Sequence, residues 1–118
     1  MIQIQVSLHS NGCLKSLKAE GHALDYKTAE KGQNLPCGII SAVLKTGSKL
    51  LYVDDKTEAE GEAPSAGKLY IRIKSIKRGK ELWVRGVTDM LMSVLAEVKS
   101  VYPDAVSIDV RFENNQED

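Results

Sequence analysis

Apolar and polar residues alternate from the first residues of the chain. Ile2, Ile4, Val6 and Leu8 are separated by Gln3, Gln5 and Ser7, which predicts a strand with one buried face. Asn11-Gly12 carries the residues most tolerant of positive φ and predicts a hairpin turn, with Cys13 to Glu20 returning beside the first strand. Leu24 to Asn34 shows neither period and reads as a surface loop. Pro36 then suits the first turn of a helix, with Asn34 or Leu35 at the cap. Ile39, Ile40, Val43, Leu44, Leu50 and Leu51 follow at helical spacing, so the helix runs from about Pro36 to Gly47, read as a weak point, or to Tyr52. Thr57, Ala59 and Gly61 place small side chains on one face of a poor edge strand. Leu69, Ile71 and Ile73 alternate as a half-buried strand. A second helix is predicted from the apolar positions Leu82 to Val101, which recur every three or four residues and stop before Pro103. Val106, Ile108, Val110 and Phe112 alternate as a last strand.

The order β-β-α-β-β-α-β predicts an α/β fold of the α+β type: a two-layer sandwich in which a mostly antiparallel sheet carries both helices on one face. Residues 1–112 are expected to form a single domain, and the acidic stretch 113–118 has too little apolar content to pack and is expected to fray. Strand order within the sheet is not readable from one sequence.

The charges add little to this picture. Sixteen basic and sixteen acidic residues cancel over 118 residues, so no global field draws the protein to nucleic acid or an anionic membrane. The one basic concentration, Lys68, Arg72, Lys74, Lys77, Arg78, Lys80 and Arg85, has only Tyr70 and Trp83 nearby as stacking surface and reads as a solvated strand face and turn. Direct nucleic-acid binding is therefore not expected. With no basic lead, signal-length apolar run or membrane-span pattern, a cytoplasmic location without membrane partners is expected. Cys13 and Cys37 would then stay reduced. His9, Cys13, His22 and Cys37 match no zinc spacing, and no phosphate-binding glycine loop is present, so neither metal nor cofactor is expected.

The candidate chemistry lies in Gly21-His22-Ala23 and in Cys37, fourteen residues beyond Ala23, a span that joins the end of the second strand to the opening of the first helix. A helix N-terminus and a neighbouring cation both favour a thiolate over a thiol, and a histidine can move the proton. Amides around Cys37 and Gly38 are placed to receive an oxyanion. The residues alone leave two readings open, because a cysteine among apolar neighbours also serves as a small packing residue and a histidine at a strand end as an ordinary surface group.

Gly21-His22-Ala23 at a strand end, a glycine-containing loop, and Cys37 followed by Ser41 at the start of an Ala-Val-Leu helix resemble the ribosomal-processing cysteine protease family, Prp. The second helix with its Met-Leu-Met-Ser-Val-Leu stretch and the short last strand extend the resemblance to the whole chain. It implies a cysteine endopeptidase with His22 and Cys37 as the catalytic dyad, acting on the N-terminal extension of a large-ribosomal-subunit protein and cutting after an aromatic residue. It also implies a homodimer. Gly21, Asn34, Gly38 and Ser41 would support the dyad. Family members usually carry an aspartate where this chain has Asn34, within Gly32-Gln33-Asn34-Leu35-Pro36-Cys37-Gly38. Asn34 can cap the helix but brings no negative charge to an imidazolium. The alternative reading is a non-catalytic, ribosome-associated or protein-binding module of the same fold.

Overall fold

In a computed structural model of the chain, residues 2–21, 35–52, 56–62 and 68–113 are described. They form five strands and two helices: β1 (Ile2–His9), β2 (Leu14–Glu20), α1 (Leu35–Leu51), β3 (Thr57–Glu62), β4 (Lys68–Ile76), α2 (Glu81–Val101) and β5 (Val106–Glu113). This is the expected order. The sheet runs β3-β4-β2-β1-β5, antiparallel throughout except for the parallel pairing of β1 with β5.

The alternation of β1 sets the layers. Ile2, Ile4, Val6 and Leu8 are buried together with Leu14, Leu17 and Ala19 of β2, Ile71 and Ile73 of β4, and the apolar stripes of both helices. The opposite sheet face carries Gln3, Gln5 and Lys18, and on β4 Arg72 and Lys74, all exposed. Glu60 of β3 pairs with Arg72 at 3.5 Å and with Lys74 at 3.6 Å, so part of the basic concentration is neutralised locally.

The hairpin between β1 and β2 differs from the tight two-residue turn that Asn-Gly most often makes. His9 and Cys13 flank a three-residue loop in which Gly12 donates to the His9 carbonyl at 2.9 Å and alone takes positive φ, 91°. Asn11 stays at negative φ and uses its side-chain oxygen to accept from the Cys13 amide at 3.0 Å. A turn followed by a left-handed glycine is the usual three-residue solution.

Gly47 does not end α1, which continues to Leu51. It is a point of close approach, because a Cβ there would run into the Leu91 side chain of α2. Beyond it, the buried Thr57 hydroxyl donates to the Leu51 carbonyl and ties β3 to the end of the helix. β3 thus holds as an edge strand despite its sparse apolar content. On β5 the alternation continues, yet burial fades from Val106 through Ile108 to Phe112, which is 69% exposed at the far end of the other edge.

Candidate active site

Gly21 closes β2 at φ 106°, a conformation that suits glycine and turns the chain sharply at the end of the strand. The next residues of the motif, His22 and Ala23, and also Asn34, lie outside the described residues. The expected loop 24–34 lies outside them too.

Cys37 is in the opening turn of α1, as the position of Pro36 predicts. The helix begins with Leu35, which is exposed; Pro36 is buried; Cys37 is half-buried and rests partly against the core. A helix leaves its first amides without intrahelical partners, and Pro36 has no N–H, so in this turn the amides that lack an intrahelical partner are those of Leu35 and Cys37. Apart from its chain neighbours and the helix's own backbone, no described atom lies within 4 Å of a Cβ built on Gly38, so this position is open among the described residues. Ser41 follows one turn later and is exposed. Cys37, Ser41, Leu44 and Ser48 are spaced at i, i+4, i+7 and i+11 and share one side of α1.

That side leads to an open cavity of about 340 Å³. Its walls are Ser48, Lys49 and Tyr52 at the end of α1, Glu62 of β3, and Leu69 and Tyr70 of β4. The sequence reading passed over this cavity. Its only signal there is the spacing from Cys37 to Ser48.

The second cysteine has different surroundings. Cys13 is 1% exposed, and its Sγ donates to the Glu81 carbonyl at 3.4 Å. Burial pushes its thiol above the usual value; the charges of Glu81 and Asp89 push the same way and Arg85 opposes them. The next amide, Leu14, donates to the Thr88 hydroxyl at 3.1 Å, which in turn donates to the Val84 carbonyl at 2.8 Å. Cys13 is therefore built into the packing between the hairpin and the start of α2. No group of three or more histidine, cysteine or acidic side chains is placed to hold a metal ion among the described residues. No described helix is long and apolar enough to cross a membrane.

A two-layer sandwich that sets a half-exposed cysteine in a helix's opening turn gives that thiol both nearby amide donors and access. The profile of the family described as cysteine protease Prp matches residues 1–107, and the chain belongs to that family. A search of curated proteins finds no match. Among solved structures, SMU.848 from Streptococcus mutans is 19% identical, with a TM-score of 0.74 over 96% of this chain and 99% of that one. The ribosomal processing protease Prp from S. aureus in complex with a substrate peptide is 15% identical, with a TM-score of 0.73 over 94% of this chain and 100% of that one. The same S. aureus protein with a covalently linked product peptide gives 17% identity and a TM-score of 0.68 over 94% and 100%. These likenesses confirm the fold.

Proposed function

We propose that this protein is a ribosomal-processing cysteine endopeptidase that removes the N-terminal extension of a large-ribosomal-subunit protein, with Cys37 as nucleophile and His22 as general base and acid. The observation that carries the reading is the position of Cys37 in the opening turn of α1 within a chain of the cysteine protease Prp family. The S. aureus relative, solved with a substrate peptide and with a covalently linked product, supports a peptide as the substrate class.

In the proposed reaction His22 takes the Cys37 proton, and the thiolate sulfur bonds to the scissile carbonyl carbon. The negative charge that develops on the carbonyl oxygen is met by the amides of the opening turn. His22 then gives its proton to the leaving amine as the C–N bond breaks, leaving a thioester on Cys37. A water molecule, deprotonated by His22, attacks the thioester and releases the acid and the thiol. Gly21 closes β2 just before His22 in the sequence, Gly38 keeps the approach to sulfur clear, Ser41 lines the path next to it, and Asn34 is assigned a supporting role. The reaction uses no metal or cofactor.

On this reading the protein is cytoplasmic, acts as a homodimer of single domains whose last strand runs through Glu113, one residue beyond the expected domain end at 112, and meets its ribosomal substrate through peptide rather than RNA. The test is cleavage of a peptide spanning the extension and mature N-terminus of the organism's own ribosomal protein. Cys37→Ala should lower kcat/KM at least about a thousandfold while the circular-dichroism spectrum stays unchanged. Undiminished cleavage by that variant would refute the assignment.

A further inference from the structure

We propose that the cavity at the C-terminal end of α1 is a second recognition site for the substrate, and that it takes an apolar side chain about five residues before the scissile bond. The inference rests on the endopeptidase reading above. Cys37 and Ser48 are eleven residues apart on one continuous helix, which is three turns with a residual rotation of only about 20° and a rise of about 16 Å. The two therefore sit in line on the same flank, at the edge of the helix's buried stripe, with the exposed Ser41 and the buried Leu44 between them. An extended chain that starts at the Cys37 sulfur and follows this flank reaches the cavity after about five residues, at about 3.3 Å each.

The cavity suits a side chain arriving this way. Its volume of about 340 Å³ is at the small end of ligand sites, and Leu69 with the rings of Tyr52 and Tyr70 makes its walls mainly apolar. Lys49 and Glu62 stand at its sides and offer one group of each sign to the backbone or polar neighbours of the bound residue. The occupant is the segment before the cleaved bond, because an N-terminal extension is free to lie extended, whereas the chain after the bond belongs to a folded ribosomal protein. Binding energy gathered this far from the reacting atoms would align the scissile carbonyl with the thiolate.

The test separates this site from catalysis by measuring binding to the Cys37→Ala protein, which holds peptides without turning them over. Two fluorescein-labelled peptides end at the same aromatic residue; one keeps about seven residues of the extension and the other only about three, too few to reach the cavity. The longer peptide should bind about tenfold more tightly in an anisotropy titration. Adding Ser48→Trp, which fills the cavity, should bring the ratio of the two Kd values to about one, and adding Tyr70→Ala in its place should lower it in the same direction. Equal affinity for the two peptides, failure to bind either, or a ratio that survives both variants would overturn the proposal. Length-dependent binding that Ser48→Trp abolishes, found together with an unmodified protein that fails to cleave the longer sequence continued past the aromatic residue into the mature N-terminus, would keep this site and refute the endopeptidase reading.

Discussion

Cys13 and Cys37 are each set against the first turn of a helix, and the two neighbourhoods have opposite chemistry. Cys13 meets α2 from outside: its Sγ donates to a carbonyl, Glu81, and its burial leaves a thiolate no solvation. Cys37 is part of the first turn of α1, beside amides with no intrahelical partner, and is half-exposed. Proximity to a helix N-terminus is thus too coarse a criterion for a reactive cysteine. What counts is whether the sulfur faces donors or acceptors and whether water or substrate can reach it.

The sharpest way to break this comparison is to exchange the consequences of losing each sulfur. Cys37→Ala should abolish peptide cleavage at unchanged stability, whereas Cys13→Ala should keep cleavage and lower the urea midpoint, because it removes a packed atom from the core. A reversal of the two outcomes would place the nucleophile at Cys13. The next effect in size concerns the shell around Cys13. Thr88→Val keeps the side-chain shape but removes the acceptor for the Leu14 amide, and leaving that buried donor unpaired should cost about 1–3 kcal/mol in denaturant unfolding. A loss of only a few tenths would mean that the hairpin holds its position without this bond.

The same contrast explains how much was legible in the sequence. Residues whose environment is set locally read out well: the β1 alternation, Pro36 inside the first turn, and the apolar spacing of α2 follow from period and capping rules. Residues whose environment is set by a distant partner did not. Gly47 looks like a helix breaker until Leu91 is set against it, and Thr88 looks like a stray polar group until Leu14, 74 residues away, points an amide at it. The parallel pairing of β5 with β1 and the exposure of Phe112 depend on strand order, which no local pattern encodes. The place of Cys37 in an opening turn is legible because its setting is its own helix. The cavity at the other end of α1 has no such local signal, because its walls come from α1, β3 and β4.

At the open end of α1, Gly38→Ala sharpens the comparison by setting stability against access. With no described atom in the way of the added methyl, the substitution should gain up to about 1 kcal/mol from helix propensity. If substrate reaches Cys37 over Gly38, as proposed, the methyl narrows that approach, so kcat/KM should fall while the urea midpoint rises. A rise in both would show that the approach to Cys37 does not pass over Gly38.

The smallest effect is expected from the Cys13 thiol itself. Its value is raised in the native state by burial, with the Glu81 and Asp89 charges adding to the effect. Between the ordinary thiol value, about 8.5, and the higher native one, the unfolded chain has lost a proton that the native protein still holds. The native state is therefore fully favoured below that range and loses stability as pH rises through it, with a slope of at most about 1.4 kcal/mol per pH unit. Urea unfolding followed from neutral pH to about pH 10 should show this decline in the unmodified protein, and Cys13→Ala should flatten it. Cys37→Ala should leave the decline in place. If it is Cys37→Ala that removes the alkaline slope, the buried and the open cysteine have been assigned the wrong way round.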